Sequence, residues 1–484
     1  MSKVRRAVVF SSMAQYGKRL IALASTMIVA RLLTPDEIGT YAIASAVVMI
    51  LGEFKLMGAG AYLVREKEIT DEVIRRALGL TVLIAWGLGL TVLLLGPVAA
   101  NYYDLQPLGL IFAILAIPFF LAPFMSITMA LLAREFKFKS VLKAQVISAL
   151  ISLLATILFI LAGFSYYSLA LGQLTRAVVQ FALIVFLREF PNYWRPVFAR
   201  LGEIARFGMF NSVANLFKNS VKVLPDMVIG KLGTTSQVAM FSRGLGFVDF
   251  LSGSLQMGVS PVVLPYLSEA RRAGENLTKP YTRATVLICA LVWPVLAVAS
   301  VASLPVIRLF FGDQWDAAAP LTSVLAVWLM LRATHHFANN LLVATNNEGV
   351  MAAKETLLFG TIFLLILAAF PYGLQAVANV FLVLGVLEIG LVSWLLSRRL
   401  GLKVRAFYRA LLPNLLITLI CALATALISR YVDFEASNAW KPVGVIAFCL
   451  PLVWLTSLAV FRHPLLTEIL KMLGLDRKLG RGKR

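Results

Sequence analysis

Apolar residues fill the chain in blocks of about twenty, broken by short charged or Pro/Gly-containing segments. An α-helix needs about 20 apolar residues to cross the hydrocarbon core of a bilayer, whereas a barrel strand needs only about 10 alternating ones. The pattern predicts fourteen spanning helices, near residues 10–33, 38–63, 77–99, 108–133, 142–163, 165–187, 206–230, 237–267, 284–303, 318–345, 350–370, 374–397, 406–429 and 441–461. The first block follows Lys3, Arg5 and Arg6 but runs on to Leu33 and contains Lys18 and Arg19, so it reads as a span rather than a signal peptide.

The basic residues test this count, because cytoplasmic loops retain Lys and Arg. With the N-terminus inside, 32 of the 45 basic residues fall in inside segments, 5 outside and 8 within spans. The five outside are Arg31, Lys231, Arg308, Arg430 and Lys441, and Lys354 is the single basic residue of the inside connection before the eleventh span. A missing or extra helix would scramble the alternation. The expectation is therefore an all-α polytopic membrane protein of fourteen transmembrane helices, with both termini cytoplasmic.

Composition agrees. The chain is 60% hydrophobic and only 14% charged, with mean hydropathy +0.85, against about 25% charged residues in a soluble protein. The net charge of +21 is then mostly topology rather than a sign of nucleic-acid binding. Cys289, Cys421 and Cys449 are far apart within apolar blocks and imply neither a disulfide framework nor a metal cluster. No G-x-x-x-x-G-K-[ST] run provides a nucleotide site. The outside connections are short, the longest near 304–317 and 430–440, and leave no external domain for catalysis. From Pro464 the tail reads as a short amphipathic stretch with a basic end, suited to the anionic inner leaflet.

Sliding the sequence over itself by 200 residues reveals a repeat. Phe10, Ser12, Ala14, Lys18, Met27, Leu32 and Thr34 return as Phe210, Ser212, Ala214, Lys218, Met227, Leu232 and Thr234. Six helices separate the copies, so both have the same orientation. That is a parallel repeat related by an axis along the membrane normal. It predicts an N-lobe of spans 1–6 (1–205), a C-lobe of spans 7–12 (206–400), an added pair 13–14 (401–462) and a basic cytoplasmic tail (463–484), with the transport path between the pseudo-symmetric lobes.

A charge at the centre of a span costs about 2.5–3.5 kcal/mol even on the lenient insertion scale. Eight basic residues lie within spans: Lys18, Arg19, Lys55, Arg176, Lys218, Lys222, Arg243 and Arg332. Four acids accompany them: Glu53, Asp226, Asp249 and Glu388. If every acid pairs, four cations remain, and a water-filled cavity that receives an anion removes the difficulty. Asn215, Lys218, Lys222 and Asp226 recur at helical spacing on one face of the seventh span, and Arg332 and His336 do so on the tenth. The cations and Asn215 are the candidate substrate-binding set. Glu53, Asp226, Asp249, Glu388 and His336 are the candidate carriers of a coupling ion or proton. Core packing is the plainer role for the adjacent His335 and His336.

Four segments carry a family resemblance. ARLLTPDEIGTYA (30–42), DMVIGKLGTTSQVAMFSRG (226–244), LPYLSEARR (264–272) and LPVIRLFFGDQWDAAAPL (304–321) resemble, in order, signatures of bacterial Wzx-type polysaccharide flippases in the multidrug/oligosaccharidyl-lipid/polysaccharide exporter (MOP) superfamily. The likeness covers about residues 1–400. It implies two lobes around a cationic cavity and a substrate, an undecaprenyl-pyrophosphate-linked oligosaccharide, turned from the inner to the outer leaflet. It marks Lys18, Lys55 and Arg243 as the pyrophosphate contacts. Phe241 and Gly244 depart from the usual Y-S-R-A run around Arg243.

The expectation is thus a flippase working by alternating access, not an enzyme, with no cofactor and an H+ or Na+ gradient or the membrane potential as energy source. Its partners would be the lipid-linked oligosaccharide, membrane lipids, and a polysaccharide polymerase with chain-length proteins. A multidrug antiporter would favour an acidic cavity for organic cations. A polymerase or ligase acting on lipid-linked sugars would need catalytic groups on a sizeable outside loop.

Overall fold

A computed structural model of the protein describes residues 3–54, 62–63, 69–135, 137–187, 195–199, 201–257, 259–436 and 438–472. All regular structure among these residues is helical: α1 (Lys3–Leu32), α2 (Pro35–Gly52), α3 (Asp71–Tyr103), α4 (Pro107–Arg134), α5 (Phe138–Leu161), α6 (Tyr167–Leu187), α7 (Leu201–Leu232), α8 (Thr235–Gln256), α9 (Ser260–Arg272), α10 (Thr278–Val301), α11 (Ser303–Phe311), α12 (Ala318–Ala333), α13 (Ala338–Ala344), α14 (Glu348–Ala369), α15 (Leu374–Leu400), α16 (Val404–Tyr431), α17 (Trp440–Val460) and α18 (Pro464–Met472), with single 3-10 turns at 313–315 and 370–372. A helix occupies each predicted span.

Nine of the described helices, α3–α6, α10 and α14–α17, are long and apolar enough to cross a membrane. The predicted spans that fall short carry internal charges (α1, α7, α8) or are interrupted. The second span leaves its helix at Gly52, the eighth between Gln256 and Ser260, and the tenth between Ala333 and Ala338. The nine suffice for a multi-pass membrane protein. Large apolar side chains face outward, such as Leu94 (64% exposed), Leu158 (65%) and Leu423 (68%), where only lipid makes such exposure favourable. Tyr431 (83%) and Trp440 (72%) cap neighbouring helix ends, as aromatic residues do at a membrane–water boundary.

The chain divides into two compact units, Met1–Ser242 with Ala352–Phe363, and Arg243–Met351 with Leu364–Arg484. In the first, α3 packs on α4, α4 and α5 on α6, α1 on α5, and α7 on α2 and α3. Small residues permit these approaches: a Cβ on Gly172 would lie 1.9 Å from Thr156 Oγ1, and Ser152 donates to the Gly172 carbonyl (2.8 Å). In the second, α10 packs on α12 and α16, α12 on α15, and α16 on α17. Its interior holds Tyr281, Phe311, Trp315, Trp328, Phe381 and Phe407, all less than 3% exposed.

The repeat extends to local chemistry. Thr34 caps α2 in a capping box with Glu37, and Thr234 meets Gln237 in the same reciprocal way at the start of α8 (3.1 and 3.2 Å). Trp86 of α3 donates its indole N–H to the Phe120 carbonyl of α4 (3.1 Å), and Trp293 of α10 does so to the Met330 carbonyl of α12 (2.9 Å). The amphipathic tail forms α18, and its apolar face is not left for lipid. Leu465, Leu466 and Ile469 pack against a core around Leu450 and Leu458, and Glu468 pairs with Arg283 of α10 (2.8 Å).

Candidate functional site

Polar groups set within apolar helices gather in both units. In the first, α1 presents Lys18 and Arg19, both half-buried, and α6 presents Arg176. The charges of Lys18 and Arg176 lie close enough to repel each other. Among the described residues neither has a carboxylate partner. On α7, Lys218 and Lys222 are half-buried and four residues apart, on one face. One turn further, Asp226 is 7% exposed; the Ser242 hydroxyl meets it, and its Oδ1 has no hydrogen-bond partner among the described residues. Glu53 sits half-buried in the turn that follows α2. Lys55 and the side chain of Asn215 lie outside the described residues.

In the second unit Arg243 is held between rings, its guanidinium 5.8 Å from the centroid of Phe311 and 5.4 Å from that of Trp315, its buried Nε without a hydrogen bond among the described residues. Cation–π contact stabilises such a group without neutralising it. Asp249 is half-buried on α8. Arg332, expected among the cavity cations, is instead paired with Glu388, expected among the coupling acids. Arg332 Nε lies 3.4 Å from Glu388 Oε2, the side chains are 15% and 10% exposed, and the guanidinium lies over the Trp328 ring. Their charges are met within their own unit. His336 is half-buried and edge-on to Phe337.

The structure adds groups that sequence periodicity does not mark. Lys354, assigned from the sequence to a connection, lies in the second turn of α14, 5% exposed and 2.8 Å from the carboxylate of Glu355, itself 1% exposed. The helix starts before Lys354, at Glu348. His335, rather than His336, joins a buried polar chain with Tyr281, Ser393 and Tyr408. These four come from four separate segments, so no spacing rule could find them.

A model of the family described as polysaccharide biosynthesis protein matches residues 28–320, more than half of the chain. The chain belongs to that family. Its curated relatives include the teichuronic acid biosynthesis protein TuaB of Bacillus subtilis (strain 168), 22% identical over 374 residues that cover 75% of this chain and 76% of that protein. The succinoglycan biosynthesis transport protein ExoT of Rhizobium meliloti (strain 1021) is 25% identical over 336 residues, 67% of this chain and 66% of that one. Among solved structures, the lipid II flippase MurJ in an inward closed conformation superposes with TM-score 0.75 at 16% identity, covering 94% of this chain and 98% of that one. An inward-facing multidrug resistance MATE family transporter of the MOP superfamily superposes with TM-score 0.65 at 15% identity, covering 81% and 96%. The protein is a multi-pass membrane protein of the polysaccharide biosynthesis family, with the fold seen in MurJ and in a MATE transporter of the MOP superfamily.

Proposed function

We propose that the chain is a flippase for undecaprenyl-pyrophosphate-linked oligosaccharide repeat units, turning them from the inner to the outer leaflet of the bacterial cytoplasmic membrane for surface polysaccharide such as O-antigen, exopolysaccharide or capsule. The observation that carries this reading is the juxtaposition of Lys18 and Arg176 on different helices with no carboxylate partner among the described residues. Two like charges on different helices within a bilayer favour a visiting anion, and a diphosphate that links a lipid to a sugar brings two negative charges in one compact group. Lys218 and Lys222 of the same unit extend the cationic set. The names of the relatives, which speak of teichuronic acid, succinoglycan transport and a lipid II flippase, support a lipid-linked sugar as cargo.

Transport follows alternating access through a cationic cavity, with the polyprenyl tail left in lipid and no covalent step. Asp226, buried and without a cation partner among the described residues, is the acid best placed to take up a proton or Na+ during the cycle. Polymerase and chain-length proteins would take the product onward. Organic-cation export fits poorly with paired cations. In a deletion strain, lipid-linked repeat units should accumulate on the cytoplasmic leaflet, and Lys18→Ala or Lys218→Ala should insert normally yet fail to restore polymer. Wild-type polymer from both variants removes the cationic site from the mechanism.

A further inference from the structure

The connection expected near 304–317 folds as α11 and a 3-10 turn at 313–315, and its Ile307, Phe311 and Trp315 are at most 2% exposed. Gly312, at φ 102°, makes the bend between the two, a conformation that glycine adopts without strain. Arg308 braces the turn. Its Nε and Nη2 donate to the two oxygens of Asp316 (2.8 and 2.6 Å), and its Nη1 donates to the carbonyls of Glu435 and Ala436 in the α16–α17 connection.

Helix α8 delivers a cation to this turn. A Cβ on Gly244 would lie 2.9 Å from Thr322 Oγ1 and 3.4 Å from the Ala318 carbonyl oxygen, so α8 and the start of α12 pack closer than a larger residue permits. Gly244, one of the two departures from Y-S-R-A, thereby brings its neighbour Arg243 against the turn. Phe247, one helical turn further on, sets the register by meeting Phe311 edge-on (5.9 Å, 89°).

Arg243 differs from the other clamped arginine of this unit in what accompanies the rings. Arg332 also lies 5.4 Å from a tryptophan, but Glu388 neutralises it. Arg243 lies over both Phe311 and Trp315, and among the described residues no carboxylate is within ion-pair distance and no acceptor meets its guanidinium. Asp316, the acid beside Trp315, is engaged by Arg308. Aromatic faces attract a cation and leave its charge in place. The guanidinium is therefore positioned and still positive, with its terminal nitrogens left to donate to an oxyanion. It belongs to a residue eight positions inside the start of α8, about 12 Å at helical rise, deeper than a headgroup at the helix end.

We propose that Trp315 is a positioning residue for transport: with Phe311 it fixes Arg243 as an uncompensated cation of the second unit, and there the guanidinium receives a phosphoryl anion, the diphosphate of the cargo. A phospholipid headgroup offers the same chemistry, and the depth of Arg243 favours the cargo. This role rests on the transport reading above. It gives the tryptophan of the GDQWDAAAPL segment a task that spacing cannot show, which is to shape a cation on another helix.

The full chain, purified in detergent, is titrated with inorganic pyrophosphate by calorimetry. Arg243→Gln should weaken binding about tenfold, the loss of one charge-assisted contact. Trp315→Leu keeps apolar bulk without a ring face and should weaken binding about fivefold. Trp315→Phe should recover most of that loss. In the Arg243→Gln background Trp315→Leu should change the affinity no further, because the indole acts through the guanidinium; a merely structural tryptophan lowers it in both backgrounds. Should Trp315→Leu not elute as a folded species, Phe311→Leu takes its place in the same cycle, with a loss of about threefold. A second arm counts the phosphatidylglycerol retained per chain, which should be the same in every variant. Pyrophosphate binding that does not depend on Arg243, or an equal loss from Trp315→Leu in both backgrounds, overturns the proposal. So does a fall in retained phosphatidylglycerol with unchanged pyrophosphate affinity, which would make Arg243 a headgroup anchor. Normal polymer from cells lacking the chain would overturn the transport reading instead, whatever the titration shows.

Discussion

The Thr235 hydroxyl donates to the Asp36 carboxylate at 2.6 Å across 199 positions of sequence, and so joins the first turns of α2 and α8, the same point in each copy of the repeat. The contact is tight as well as polar. A Cβ on Gly39 would lie 1.8 Å from the Thr235 carbonyl oxygen, a backbone atom that no rotamer change can move aside. Gly39→Ala should therefore force the two helix starts apart, at an overpacking cost of about 1–3 kcal/mol. Thr235→Val, which removes only a solvent-exposed hydrogen bond, should cost about 1 kcal/mol or less. Thermal unfolding of both variants in detergent checks the order. Equal melting temperatures would mean that the helix starts are not in contact in solution.

Lys18 and Arg176 offer a test that separates stability from transport. Removing one of two repelling charges relieves the fold, so Lys18→Gln should melt higher by about 1–3 °C. The same change should abolish polymer export, because the anion site loses a cation. Sites held for function rather than stability behave in this way. A variant that melts lower and exports less would make Lys18 a structural residue.

Arg332 and Glu388 should behave in the opposite manner. Truncating one member of a buried pair strands the other charge, and Arg332→Ala should cost about 3–5 kcal/mol. Arg332→Met combined with Glu388→Gln should recover most of that loss and retain export. Double-variant export at the level of a null strain would return the pair to the transport site.

These pairs also mark where sequence reading succeeds and where it stops. The apolar blocks marked where helices lie, nine of them long and apolar enough to cross a membrane among the described residues, because a lipid-facing helix must be apolar whatever its tertiary packing. The 200-residue offset found Thr34 and Thr234, whose capping boxes are set by local spacing. Arg332 and Glu388 lie 56 positions apart, and nothing in either helix says that the two meet. His336 shares the face of Arg332 only if the helix is continuous. The helix ends at Ala333, so the turn that follows directs His335 into the core instead. Lys354 was misplaced because a single lysine near a helix start looks alike whether it points to water or to Glu355.

Acid should loosen the C-terminal helix. His463 is 2% exposed, its Nδ1 accepts the Leu465 amide (3.1 Å), and burial holds its pKa below the ordinary 6.5. Between the lowered folded value and 6.5 the undocked state binds more protons, so docking strengthens as pH rises through that window. Its contribution is complete above about pH 6.5 and declines below. Hydrogen exchange over residues 464–472 should accelerate, after correction for intrinsic rates, between pH 7.5 and 5.5, and His463→Asn should remove the dependence. The Arg283–Glu468 pair, whose side chains are 62% and 37% exposed, adds little to the docking.

Pro294 and Trp454 supply a prediction in which two substitutions cancel. A proline has no N–H, so the Ala290 carbonyl one turn earlier in α10 lacks its helical donor. The Trp454 indole of α17 fills that role at 2.9 Å. Trp454→Phe keeps a ring in place while orphaning the carbonyl, and should cost about 1–3 kcal/mol. Pro294→Ala restores the helical amide, and in that background Trp454→Phe should cost no more than the small change in ring volume. The coupling, read from four unfolding midpoints, should be about 1 kcal/mol or more. Additive costs would show that the carbonyl finds another donor and that the indole serves only as packing.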